Sequence, residues 1–159
     1  MDKDRPTVNN RTESMIWLVV EDDASFRDIV TTMCELWGVG TIVFSDGQQA
    51  ATWLDGPAKE SDKLPDLALL DIRMPGLQGH EVAARIRRHP RLANMGIILM
   101  TAYELPGEEQ ERVMAASGAD LLMFKPLPMM EELMKIGRGI IDRRRKDEKD
   151  EQDKKPKPG

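Results

Sequence analysis

The chain has 159 residues, room for one domain with a real core at roughly 150 residues per domain. It holds one cysteine and two histidines, which excludes an internal disulfide, a cysteine-rich zinc site and a polyhistidine metal site. The net charge of −5 is unevenly placed: residues 15–141 carry nineteen acidic against twelve basic side chains, a balance that repels phosphate backbones and argues against direct nucleic-acid binding.

Residues 1–14 carry six charges and no apolar block, so they read as a polar, disordered leader and not a secretory signal. The longest apolar run, Met15 to Val20, has six residues against the roughly 20 of a membrane span. A cytoplasmic protein is expected. From there, short apolar runs alternate with amphipathic stretches. The runs are 16–20, 41–44, 67–70, 97–100 and 121–124, each continuously apolar, as in parallel strands covered on both faces. Between them lie helical periods: Phe26, Ile29, Val30, Met33 and Leu36–Trp37; then Ala50, Trp53 and Leu54; then Val82, Ala83 and Ile86; then Val113 and Met114; then Met130, Leu133, Ile136 and Ile140. Five such alternations predict a (βα)5 doubly wound, three-layer α/β domain over residues 15–142. Gly38 and Gly118 fall where helix-ending glycines belong. Residues 143–159 read as a charged tail unable to order itself, apart from first turns that extend the last helix.

In an open α/β sheet chemistry gathers at the carboxyl ends of the strands. Here strand 1 runs into Glu21, Asp22 and Asp23, strand 3 ends in Asp71, strand 4 in Thr101 and strand 5 in Lys125. One acid at a strand end is ordinarily a turn or cap residue; four chemically capable strand ends on one rim are not explained that way. Convergent carboxylates repel unless a cation joins them, and hard oxygen donors without His or Cys suit Mg2+. With a lysine and a hydroxyl beside them, the set reads as a small phosphate pocket with a carboxylate able to act as nucleophile.

These residues resemble the receiver domain of two-component response regulators. The landmarks are Val19-Val20-Glu21-Asp22-Asp23, the run Leu69-Leu70-Asp71-Ile72-Arg73-Met74-Pro75 with Gly79 four after the proline, Met100-Thr101-Ala102, Gly118-Ala119-Asp120 and Lys125-Pro126. The resemblance implies the flavodoxin-like strand order 2-1-3-4-5. It implies that Asp71 accepts phosphate from a sensor histidine kinase or histidine phosphotransfer protein, and that Asp22 and Asp71 bind Mg2+ directly. Glu21 would work through water, and Arg73 would offer its backbone carbonyl. Lys125 would contact phosphate, across a bond to Pro126 that is typically cis. Thr101 would be the switch hydroxyl, and Asp23 an extra acid opening the first helix. Arg73 and Tyr103 would flank the path of attacking water and modulate the lifetime of the phosphoryl group. The output face would be helix 4, strand 5 and helix 5, read by a partner protein or by a second copy in a homodimer.

There are departures. The aromatic switch position is Leu122; Phe124 precedes Lys125, and alternation should point it to the other face. Leu105-Pro106-Gly107 is an insertion in the loop after Thr101. About eighteen polar residues follow the last helix, so the reading is a stand-alone receiver. One rival is a pseudo-receiver that binds without phosphate. Another is an aspartate-nucleophile phosphohydrolase, which would need a general acid where Arg73 stands; the chain is therefore not expected to turn over a substrate. Of the remaining residues, Trp17, Trp37 and Trp53 read as core, Cys34 as inert packing and His80 as surface. His89 carries no assigned chemistry. Arg85, Arg87, Arg88 and Arg91 read as a solvated face, whereas Met129, Met134 and Ile141 fall off the core stripe of the last helix and suggest a contact surface.

Overall fold

The computed structural model describes residues 15–154, so the reading of a disordered leader and the last five residues of the tail fall outside the described residues. In chain order the elements are β1 (Ile16–Val20), α1 (Ala24–Leu36), β2 (Gly40–Phe44), α2 (Gly47–Asp55), a 3-10 turn (Pro57–Lys59), β3 (Leu67–Asp71), α3 (Gly79–Arg87), β4 (Gly96–Thr101), α4 (Gly107–Ser117), β5 (Leu121–Phe124) and α5 (Met130–Lys154). The five strands form one parallel sheet in the order β2-β1-β3-β4-β5. The fold class and strand order are those expected.

The sheet divides the core in two. Leu18, Leu70 and Leu99 face Ala50, Leu54, Val82, Ile86 and Val113 of α2, α3 and α4. Val19, Leu69 and Ile98 face Val30 and Cys34 of α1 and Leu133 of α5. β1, β3 and β4 are apolar without alternation because both faces are covered. Truncating a side chain such as Leu69 to alanine would cost about 2–5 kcal/mol. The expectation of two-sided cover fails for β2 and β5, the sheet edges, whose side chains are partly buried or, at Val43 and Phe124, exposed.

Three helix readings are corrected. In α1 the buried positions are Val30 and Cys34, while Ile29 and Leu36 are 57% and 58% exposed. Cys34 is inert packing as expected, its thiol pushed up to about 12 by burial. In α5, Met134 and Ile141 are core residues, and of the three off-stripe residues it is Met129, just before the helix, that is exposed, at 82%. The reason is Gly137. A Cβ there would meet Leu67 and the Trp17 ring, so the helix seats its glycine on the sheet and buries Leu133, Met134, Ile140 and Ile141 around it. The third correction is the tail: α5 runs to Lys154. Arg144 explains its first part by pairing with Asp120 at 2.8 Å, and Arg145 reaches Asp66 at 3.0 Å. Asn94 donates to the Arg144 carbonyl and to Glu148, both at 2.9 Å.

The arginine cluster is also reassigned. Arg87 donates to the carbonyls of Ala93 and Gly118 and pairs with Asp120, and Arg91 donates to those of Ala58 and Lys59. These two side chains staple loops. Asp120 additionally accepts the Ile97 N–H at 2.8 Å, which joins α3, β4 and α5 at the amino-terminal rim of the sheet. His89 is buried: its Nδ1 accepts the Arg91 N–H, so Nε2 carries the proton and donates to the Leu54 carbonyl. Trp17 is fully buried, but Trp37 and Trp53 are only partly so, and His80 is half-buried where a surface residue was expected.

Candidate functional site

Strand register builds the site. Val20 is level with Leu70, so Glu21 and Asp71 leave adjacent strands side by side. Asp71 is level with Met100, and Thr101, one step on, is level with Phe124, just before Lys125. Gly79 permits the turn after Asp71: a Cβ there would collide with the Asp71 carbonyl, and its N–H donates to the Ile72 carbonyl at 3.0 Å.

Glu21, Asp22 and Asp71 each place one carboxylate oxygen within 4.8 Å of the others. Glu21 is fully buried and doubly satisfied: Oε1 accepts the Asp23 N–H at 3.1 Å, and Oε2 accepts the Lys125 ammonium at 2.8 Å. Asp22 is exposed at the mouth. Asp23 stands apart and caps α1 by accepting the Phe26 N–H at 3.1 Å. Lys125 lies 3.9 Å from Asp71 Oδ1 and stacks 4.1 Å above the Phe26 ring. Its bond to Pro126 is cis.

Asp71 is pushed up to about 7. Burial is the main cause, the neighbouring Glu21 charge adds to it, Lys125 opposes it, and Asp22 contributes a further rise. The crowding itself describes a cation site. The donors are hard carboxylate oxygens without imidazole or thiolate, which fits a divalent cation such as Mg2+.

Thr101 is buried at the floor of the rim, and its Oγ1 accepts the Tyr103 N–H at 3.1 Å. Among the described residues its own proton finds just the Tyr103 carbonyl, at 3.5 Å, so it can turn toward an added oxyanion. Arg73 and Tyr103, both exposed, meet across the mouth with the guanidinium carbon 4.6 Å from the ring centroid. Leu122 packs on the α3–α4 side of β5, whereas Leu121 and Met123 pack on the other. By the same alternation Phe124, 44% exposed, shares Leu122's side and does not turn away from it. The inserted loop is pinned: Leu105 is buried, and its carbonyl accepts the Gln110 amide at 2.8 Å. Phe26 is the site residue that sequence reading missed, having been assigned to the helix core stripe.

The response regulator receiver domain model matches residues 17–137. The chain belongs to this family. The receiver is 32% identical over 120 residues to the DNA-binding dual master transcriptional regulator RpaA of Synechocystis, covering 75% of this chain and 46% of that regulator. It is 33% identical over 119 residues to the phosphate regulon regulator PhoB of Rhizobium meliloti, covering 74% and 48%. The receiver thus spans about half the length of these two curated relatives. Among solved structures, it superimposes with a TM-score of 0.66 and 26% identity on the receiver domain of a sensor histidine kinase from Pseudomonas aeruginosa, covering 80% and 98% of the two chains. That crystal structure has a magnesium ion coordinated in the active-site cleft. Among the described residues of this receiver, no helix is long and apolar enough to cross a membrane.

Proposed function

We propose that the receiver is a phosphorylation-dependent signalling switch in which Asp71 accepts a phosphoryl group from a phosphohistidine of a sensor histidine kinase or phosphotransfer protein. The observation that carries this is the meeting of Glu21, Asp22 and Asp71 within 4.8 Å, with one lysine shared between the first and the last. In the transfer the histidine N–P bond breaks and an Asp71 Oδ–P bond forms, with the imidazole leaving. Asp22 and Asp71 would hold Mg2+ directly, Glu21 through water and Arg73 by its carbonyl. When bound, such an ion would supply charge neutralisation for a phosphoryl group. The magnesium ion coordinated in the active-site cleft of the Pseudomonas relative supports a metal ion at this site.

The protein's own groups do the rest. Burial makes Asp71 a poorly solvated base that gains from an electrophile. Lys125, 2.8 Å from Glu21 and 3.9 Å from Asp71, needs only a small swing to meet a phosphoryl oxygen. Thr101 offers its free hydroxyl proton to a second oxygen. Output would be read on the face of α4, β5 and α5, where Phe124 and Met129 are exposed; Met134 is no part of it. Arg73 stands where an aspartate-nucleophile phosphohydrolase would need a general acid, which favours the switch over that rival.

Intact mass after incubation with acetyl phosphate tests the reading. The wild type should gain one phosphoryl group with Mg2+ and none in chelator, and Asp71→Asn should gain none. A phosphoryl adduct on Asp71→Asn, or equal labelling in chelator, would overturn the assignment. A wild type that never labels would point to the pseudo-receiver.

A further inference from the structure

A second concavity lies beside the phosphoryl site, between the loop after β3 and helix α4. It encloses about 640 Å³, in the range of pockets that hold small organic ligands. Its apolar side is Met74, Leu105 and Val113. Its polar side holds Arg73, Arg112 and His80, with Glu109 as the single acid.

Two features of that polar side point to an anion, and a third to an unmet polar partner. Among the described residues neither Arg73 nor Arg112 enters an ion pair, so the cleft keeps an excess of positive charge over Glu109. The Arg73 guanidinium carbon lies 4.6 Å from the Tyr103 ring centroid, a contact that restrains this side chain at the edge of the cleft, and a guanidinium carries the paired N–H donors that match a two-oxygen acceptor. The Nδ1 of His80 is buried and finds no hydrogen-bond partner among the described residues, and a native fold rarely leaves such an atom unpaired. The apolar side excludes a bare inorganic anion as the best fit, because Met74, Leu105 and Val113 would gain nothing from it.

We propose that this cleft binds a small organic acid, a carboxylate or sulfonate on an aromatic or aliphatic frame, with the acid group on Arg73 and Arg112 and the frame against Leu105 and Val113. The inference is independent of the phosphoryl-acceptor reading, since neither metal nor phosphate is needed for it.

The test uses 8-anilinonaphthalene-1-sulfonate with the full chain, without phosphodonor or metal, so that its failure is separate from any failure of Asp71 to accept phosphate. Fluorescence should saturate at one probe per chain. Binding should weaken at least tenfold in Arg112→Glu, whose side chain is exposed and not needed for folding. The uncharged N-phenyl-1-naphthylamine should bind at least tenfold more weakly, and sulfate alone should not compete at equal concentration. Amide shifts on titration should centre on His80, Leu105 and Val113. Ala116→Phe, which fills the rim from an exposed position, should also weaken binding. The proposal is overturned by no saturable binding, by equal binding of the neutral analogue, by an unaffected Arg112→Glu, or by shifts centred elsewhere, such as around Phe44 and Trp53.

Discussion

The guanidinium of Arg73 lies over the ring of Tyr103, 4.6 Å from carbon to centroid, and so bridges the loop after β3 to the loop after β4 across the mouth of the acidic site. In the proposed mechanism, a water that hydrolyses an acyl phosphate on Asp71 would approach beside this pair. Neither member is suited to orient it as a small amide or carboxylate would: a guanidinium offers only donors, and both side chains are large. We predict slow self-dephosphorylation, over minutes to hours. The double variant Arg73→Asn, Tyr103→Glu should decay about tenfold faster, a change of only ~1.4 kcal/mol in the barrier. Loss of phosphate after donor removal, followed on a phosphate-affinity gel, decides it. Decay of the wild type within seconds, or no acceleration in the double variant, would sink the shielding role.

The raised Asp71 carboxyl gives a pH prediction with a definite sign. Its folded-state value of about 7 lies above the ordinary carboxylate range, so the neutral form is the one folding favours. The stability this group contributes is complete in acid and is lost as pH rises through about 7. In chelator, Asp71→Asn should therefore be more stable than wild type at pH 8, by on the order of 1–4 kcal/mol, and nearly equal to it near pH 4. Saturating Mg2+ should narrow the gap at pH 8. Urea midpoints at the two pH values measure this, and an Asn variant no more stable at pH 8 contradicts it.

Two methionines five residues apart should behave in opposite ways. Met134 is 3% exposed and packs on the sheet, whereas Met129 is 82% exposed at the start of α5. Met134→Glu places an unpaired charge in the core and should cost about 3 kcal/mol or more, while Met129→Glu should stay within about 0.5 kcal/mol. Thermal unfolding of the two variants checks the assignment. Equal, small losses would mean that Met134 faces solvent.

Asp120 serves two arginines and one backbone amide. Asp120→Ala leaves the Ile97 N–H unsatisfied and strands Arg87, which burial and Arg144 already disfavour in its charged form. The expected cost is about 3 kcal/mol. Arg144→Ala removes one partner from a half-open pair and should cost about 1 kcal/mol. If both variants unfold at the same denaturant concentration, Asp120 is not the node described above.

The strands and strand order were legible because continuous apolar runs have one physical meaning in a doubly wound sheet, and because the acids fall at their carboxyl ends. The triad of Glu21, Asp22 and Asp71 was legible from that rim alone. What escaped was contact that no period encodes. Gly137 looks like a helix weakener until Trp17 is seen against it, and its seat explains why Met134 and Ile141 are buried. Arg144 reads as tail charge until Asp120 is found 2.8 Å away. Phe26 reads as helix core, and only the fold sets it under Lys125.

That last contact has a consequence for where the phosphoryl group is felt. Lys125 touches Glu21, Asp71 and the Phe26 ring together, and Phe26 packs with the α1–α5 layer, on the opposite side of the sheet from Leu122 and α4. If the ammonium turns toward a phosphoryl oxygen, the ring loses its cation at the same moment that Thr101 turns its hydroxyl. One chemical event then sends two messages in opposite directions, and the ring-current shifts of Phe26 become a reporter for a helix far from the loop where the switch is usually sought.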